Sequence, residues 1–269
     1  VIRLSLDDVF NESDSSNRQV VDLGIETGVF CMQKDRNGEI VWIGTDGLGV
    51  GMYSDEPYSF YTITLSKLRA MRDCPIRALL YDREGTLWVG TKGNGLLAIP
   101  HFSVFTLTST LSQNVRYFGV QNSQLGSNIV YHLTESRHPW VWICNAEGIS
   151  YYSYTTRQVK HLALPDHVKH VIAACEDGDQ LWMATLGFGI CRADISEKDG
   201  QPLLTNLKTY VLDGGKLSSN YFFSLAKDNR GQWWFGNRGK GLYTLEHNTL
   251  KSYPRMQDTA DPSINDVYT

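Results

Sequence analysis

The chain has 269 residues, 25 Lys and Arg against 29 Asp and Glu for a formal charge of −4, and 42% apolar residues. That balance excludes a nucleic-acid or anionic-membrane surface driven by bulk charge, and it excludes disorder throughout. Aromatics at 12% and 24 glycines point to many short strands joined by tight turns, while five unclustered cysteines give neither a disulfide framework nor a metal-ligand spacing.

In chain order, Val1 to Gly28 holds strand-like VIRLSL and RQVVDLG, read as the end of a preceding unit. Five similar units then follow over 29–255, each anchored on one tryptophan: EIVWIGTDGLGV at Trp42, TLWVGTKGNGLL at Trp88, WVWICNAEGIS at Trp142, QLWMATLGFGI at Trp182 and QWWFGNRGKGL at Trp234. The tryptophans are 40 to 54 residues apart, a period that belongs to propellers and solenoids. Two residues on stands a small residue (Gly44, Gly90, Cys144, Ala184, Gly236), then Thr or Asn (Thr45, Thr91, Asn145, Thr185, Asn237). Residues 256–269 begin a further unit whose turn and Trp are missing.

Before each Trp strand lies an apolar run ending in an acid, Asp35, Asp82, Glu135, Glu176 or Asp228, placed to bond the backbone N–H groups of its own turn. Gly38, Gly85, Gly178 and Gly231 tolerate positive φ in that turn, and Pro139 takes the place in the third unit. Glycines after the Trp strand, such as Gly93 and Gly95, reverse the chain into a third strand. A fourth follows, as in YSFYTI from Tyr58, VFTLT from Val104, RQVKHLAL from Arg157 and NLKTYVL from Asn206. No window sustains apolar residues at helical spacing. The predicted fold is therefore all-β, a β-propeller of four-stranded antiparallel blades, about five complete with partial strands at both ends. Leu65 to Pro75, Thr108 to Ser127 and Leu212 to Ser219 read as inter-blade loops, which share a face with the turn after each Trp strand.

These segments, LWVGT with its following Gly-Leu, the acid and turn glycine before it, and KLSSNYFFSL leading into a first strand, resemble the two-component regulator propeller repeat. The resemblance is strongest at Trp42, Trp88 and Trp234. It implies the periplasmic sensor region of a hybrid two-component system of the Bacteroides kind, in which seven-bladed propellers bind a ligand, often an oligosaccharide, and signal through a membrane helix to a histidine kinase that controls transcription. Seven units of this period would need about 336 residues against 269 here, so a fragment of a ring is expected. Membrane contact would come only through parts of the parent absent from this sequence, and exposed strand edges would favour a homodimer.

A Trp at one place in every unit reads as inter-blade core, whereas the off-register Trp140 and Trp233 read as packing on a sheet face. Recognition of one asymmetric ligand needs unlike groups, and the turns after the Trp strands supply them: Asp46, Lys92, Asn94, Glu147, Phe188, Arg238 and Lys240. Charged and amide groups there can bond sugar hydroxyls or a uronate carboxylate. From the inter-blade loops come Arg69, Arg72, Tyr117, Asn128, His167, His170, Asn220 and Tyr221. His161, His167 and His170 match no zinc spacing, the Asp177–Asp179 turn lacks the remaining ligands of a calcium loop, and the glycine pairs lack the helix of a phosphate loop. No cofactor, metal or nucleophile-base pair is indicated. The expectation is a non-enzymatic sensor module for an oligosaccharide or other small ligand; a propeller lyase or glycosidase and a protein-binding scaffold are the alternatives.

Overall fold

The computed structural model describes residues 2–3, 19–20, 27–35, 40–54, 59–63, 74–100 and 115–253. Two short strands, β1 (Ile2–Arg3) and β2 (Gln19–Val20), pair with each other. Five four-stranded antiparallel sheets follow, arranged as a β-propeller. Blade 1 comprises β3 (Val29–Lys34), β4 (Ile40–Thr45), β5 (Val50–Ser54) and β6 (Ser59–Ile63); blade 2 comprises β7 (Ile76–Tyr81), β8 (Leu87–Thr91), β9 (Leu96–Ile99) and β10 (Arg116–Phe118). Blade 3 is β11 (Val130–Glu135), β12 (Trp140–Asn145), β13 (Gly148–Ser153) and β14 (Val159–His161). Blade 4 is β15 (Val171–Asp177), β16 (Gln180–Thr185), β17 (Ile190–Lys198) and β18 (Gln201–Tyr210), and blade 5 is β19 (Phe222–Lys227), β20 (Trp233–Asn237), β21 (Gly241–Glu246) and β22 (Thr249–Ser252).

One sequence expectation changes. The outer strand of blade 2 is β10, inside the stretch read as a loop, and the VFTLT segment proposed for it lies outside the described residues. Each described blade is complete in four consecutive strands, with none exchanged between β1–β2 and blade 5; residues 254–269 lie outside the described residues.

The first strands of successive blades, β3, β7, β11, β15 and β19, touch in chain order and form the hub. Between them the repeat tryptophans fill the seams. Trp42 packs among Ile76, Leu79, Leu87 and Val89 of blade 2, Trp88 among Val130, Leu133 and Val141 of blade 3, and Trp142 among Val171, Leu181 and Met183 of blade 4. Trp182 does the same among Phe222, Trp233 and Phe235 of blade 5. The inter-blade reading holds for Trp42, Trp88, Trp142 and Trp182, and Trp140 and Trp233 are buried as well. Trp234, on the last described blade, is the half-buried one and packs edge-on against Tyr253 at 5.3 Å.

The small residue two places after the Trp now has a cause. A Cβ on Gly44 would meet the Cys31 sulfur at 2.4 Å and Ile76 of the next blade at 2.9 Å, and one on Gly90 would meet Val130 of the next blade at 2.7 Å. Side-chain volume there would push the neighbouring first strand off the seam.

The acid repeated before each turn behaves differently by residue type. Asp82 is fully buried; its Oδ1 accepts from the N–H groups of Glu84 and Thr86, both at 2.9 Å, and its Oδ2 from Trp88 Nε1 at 2.7 Å. Asp228 repeats this with Arg230 and Gln232, each at 2.9 Å, and Trp234 at 3.0 Å. Asp35 accepts from Ile40 N–H at 3.1 Å. The two glutamates, one methylene longer, reach back into the preceding blade, which corrects the expectation that all five acids serve their own turns. Glu135 accepts from the Arg83 N–H at 2.9 Å and Arg83 Nε at 2.5 Å, and Glu176 from Ser136 Oγ at 2.6 Å, Arg137 N–H at 3.2 Å and Trp142 Nε1 at 2.8 Å.

Candidate functional site

Strand direction puts the turns between second and third strands on one face with the loops that lead into each first strand. Backbone bonds fasten them in the same way five times. The N–H of the residue following the Thr or Asn donates to the carbonyl just before its blade's first strand: Asp46 to Gly28 at 2.9 Å, Lys92 to Pro75 at 3.0 Å, Ala146 to Ile129 at 3.3 Å, Leu186 to His170 at 3.1 Å and Arg238 to Tyr221 at 2.9 Å. In blades 1, 2 and 4 the threonine hydroxyl closes the turn on the carbonyl four residues on, as Thr45 to Gly49 at 2.6 Å. The second turn glycine abuts backbone: Gly95 has φ +78 and a Cβ on it would lie 2.4 Å from the Phe118 carbonyl, with Gly189 placed alike against Tyr210. The main chain is thus fixed while the tip side chains are free to vary.

The predicted residues separate into three groups. Asp46, Lys92 and Arg238 stand exposed on this face, with no side-chain hydrogen bond or ion pair among the described residues; His167 and His170 are exposed beside them and Phe188 is half-buried. Glu147 and Lys240 are on the same face but engaged, Glu147 with Lys169 at 3.4 Å and Lys240 with Asp213 at 2.5 Å and Ser219 at 3.0 Å. Asn94 is half-buried in the blade 2 turn, its N–H held by Thr91 Oγ1 at 2.9 Å.

The remaining residues serve the frame. Asn128 accepts the N–H groups of Gly93 and Gly95 on its carbonyl, at 3.1 and 2.9 Å, and the Val120 N–H on its side chain at 2.9 Å. Asn220 repeats this on Gly187 and Gly189, is fully buried, and brackets its own loop through Leu212 and Lys216. The Asn220 amide is spent on backbone at both its oxygen and its nitrogen and the Asn128 amide at its oxygen, so both serve as brackets. Tyr117 is in strand β10, not a loop, and packs toward the seam between blades 1 and 2. Tyr221 is half-buried, and its ring lies where a Gly187 side chain would go. Arg69 and Arg72 lie outside the described residues.

Sequence reasoning missed five positions directly beneath these tips. Every first strand carries a bulge at the same place, and the extra residues are Phe30, Arg77, Tyr131, Ile172 and Phe223. A bulge adds an unpaired residue and re-aims its side chain. The arginine inside the apolar run IRALL was the one available signal. Arg77 Cζ lies 3.8 Å from the Phe30 ring centroid, across the seam between blades 1 and 2. Burial raises the Tyr131 phenol above its ordinary range, and the nearby Arg77 charge works against that rise.

The opposite face is built differently. A cleft of about 340 Å³ there is lined by Glu84, Thr86, Trp88, Ala98, Pro100, Arg116, Tyr152 and Arg157. Residues 101–114, between two of its wall residues, lie outside the described residues. Its charged groups are largely committed, since Arg157 grips Glu84 through both guanidinium nitrogens. Asp177 and Asp179, weighed as a calcium turn, are paired with Lys227 at 2.6 Å and with Arg137. Among the described residues no three His, Cys, Asp or Glu side chains come together to hold a metal.

Comparison with family models matches the two component regulator propeller over residues 24–47, 70–93 and 216–239, the repeats of blades 1, 2 and 5. Curated proteins give no match. Among solved structures, the extracellular domain of the one component system BT4673 from B. thetaiotaomicron is similar at TM-score 0.62 and 18% identity, over 96% of this chain and 31% of that one. The extracellular domain of the hybrid two component system BT3049 of the same organism is similar at TM-score 0.55 and 16% identity, over 92% and 38%. PorZ of Porphyromonas gingivalis, a surface component of the type-IX secretion system, is similar at 0.56 and 16%, over 86% and 32%. The chain spans about a third of the length of these structures, and identities at this level establish the propeller fold alone.

Proposed function

Because this chain carries the repeats of the two-component regulator propeller family, we propose that it is the ligand-sensing propeller of an extracytoplasmic receptor, recognising an oligosaccharide on the hub face. The parent would be a periplasmic sensor anchored in the inner membrane, passing the signal to a histidine kinase that controls transcription. One observation carries this reading. The hub face fixes its main chain by the same five bonds and then leaves the unlike side chains of Asp46, Lys92 and Arg238 without partners among the described residues. A face that served only to hold blades together would spend those groups, as the other face spends Arg83, Arg137 and Arg157. Unlike, solvated hydrogen-bonding groups over a rigid frame suit a hydroxyl-rich ligand of low symmetry.

Similarity to PorZ favours a second reading, a propeller that docks another protein at the cell surface. Calorimetric titration of the 269-residue chain against neutral and acidic plant and host oligosaccharides separates the two. Saturable binding weakened by Lys92→Ala or Arg238→Ala is expected for a sensor. Silence across the panel, with capture of a partner from an envelope extract, would replace it with docking.

A further inference from the structure

Among the described residues the side chains of the five hub bulge residues make no hydrogen bond between blades, and one of them is a cation. Arg77 stacks over Phe30 from one side and sits within electrostatic reach of Tyr131 on the other. Its Nε is buried without a hydrogen-bond partner, and its guanidinium makes no ion pair among the described residues. Arg77 is half-buried, and its shielded Nε has given up water for no acceptor, a cost that the cation–π contact offsets only in part. Arg83, Arg137 and Arg157 on the opposite face all hold carboxylates, so the chain does not lack for acids where an arginine needs one. Among the described residues the carboxylates carried by the hub-face turns do not serve Arg77: Glu147 pairs with Lys169, and Asp46 makes no ion pair. Arg192 shares the unpartnered Nε, but it stands on β17, outside the hub strands.

We propose that Phe30, Arg77 and Tyr131 form a subsite for a uronic acid residue, its carboxylate on the Arg77 fork and its ring stacked on the two aromatic side chains. The fork suits a carboxylate because two parallel N–H donors match two oxygens, and the anion supplies the partner that the folded chain withholds. Phe30 is 38% exposed, so an aromatic face is open to a ring beside the charge. A sugar is chosen over a flat aromatic acid by what stands above. The tips Asp46 and Lys92 are hydrogen-bonded to Gly28 and Pro75, each two residues before a bulge residue, Phe30 and Arg77. An unpaired carboxylate and an unpaired ammonium at that distance from the bulge have use for hydroxyls, which an aromatic acid lacks.

This subsite rests on the reading of the hub face as a ligand face, and its test separates the two. The probes are methyl glucuronide and methyl galacturonide, their neutral twins methyl glucoside and methyl galactoside, and benzoate, followed by saturation-transfer NMR and titration on the 269-residue chain. The acids should bind roughly tenfold to a hundredfold more tightly than their neutral twins, the range of a charge-assisted paired hydrogen bond. Arg77→Gln should abolish that preference with no fall in melting temperature, and Arg77→Lys, which keeps the charge and loses the fork, should fall between. Phe30→Leu and Tyr131→Leu should weaken acid and neutral sugars by the same factor and leave the preference intact. An acid preference that survives Arg77→Gln, equal binding of acids and twins, or no binding by either acid overturns the subsite. Benzoate binding as tightly as the uronides overturns the sugar assignment. Should neutral oligosaccharides bind without any acid preference, the subsite falls while the sensor reading stands.

Discussion

The two faces of this propeller are fastened by different means. On the face of the first-to-second-strand turns, side chains cross the seams: Glu135 takes Arg83, Glu176 takes Ser136, Arg137 and Trp142, and Lys227 takes Asp177. On the hub face main chain carries much of the crossing, as where the carbonyls of Asn128 and Asn220 receive the turn glycines of the blade before. Main-chain bonds do not depend on which side chain stands nearby. One face therefore ties its residue identities to stability, while the other can change tip side chains such as Asp46, Lys92 and Arg238 at little cost to the fold.

The strongest way to break that division is at Glu176, whose carboxylate is 8% exposed and satisfies three donors on blade 3. Glu176→Ala leaves Trp142 Nε1 and Ser136 Oγ without an acceptor in a buried seam. A loss of about 2–4 kcal/mol is expected, with a broadened urea transition as blades 3 and 4 uncouple. Glu176→Asp, one methylene shorter, should recover little, because the reach across the seam is what the longer side chain supplies. Denaturation curves read by fluorescence and by circular dichroism check both; coincident, unshifted transitions would contradict the clasp.

Much of this could be read from the sequence, and the limits have a physical pattern. The Trp period, the small residue after it and the turn glycines predicted blades because each is a local requirement repeated five times. The tip residues Asp46, Lys92 and Arg238 followed from their offset to the Trp. What escaped depends on one methylene or on one extra residue. Glu and Asp are alike in a turn pattern, yet Glu135 and Glu176 cross a seam where Asp82 and Asp228 fold back. A bulge breaks the alternation by which facing is inferred, so Phe30, Arg77 and Tyr131 passed as ordinary strand residues. Asn128 and Asn220 looked like loop ligands because composition does not reveal where an amide spends its bonds.

A smaller effect should come from acid, and it too falls on the seams. His132, at the hub between blades 3 and 4, has its imidazole brought down to about 4 by desolvation, and its Nδ1 faces the Ala174 N–H at 3.5 Å. The folded chain thus favours the neutral ring, and the unfolded chain takes up the proton first. That contribution is complete above about pH 6.5 and drains away as pH falls toward 4, on the order of 1–3 kcal/mol. Glu135 acts in the same direction in a lower window. Burial alone would raise its carboxyl, but the bonds from Arg83 and Tyr154 hold it below the ordinary range, so its stabilisation is lost as acid protonates it. Melting temperatures from pH 7 to 4 should fall, and His132→Gln should flatten the slope between 6.5 and 4; an unchanged slope would place the acid sensitivity elsewhere.

The smallest expected effect is the most telling for the comparison. Lys92→Ala and Arg238→Ala together remove two unpaired cations from the hub face and no side-chain bond among the described residues. Their N–H groups, which hold the turns to Pro75 and Tyr221, survive the change, and alanine adopts the backbone of either residue. Stability should therefore move by no more than about 0.5 kcal/mol, although the same number of charges removed at Arg83 and Arg137 strips the seams of partners. If the double variant at the tips destabilises as much as the double variant at the seams, the hub face is also a clasp, and its side chains are not at liberty to follow a ligand.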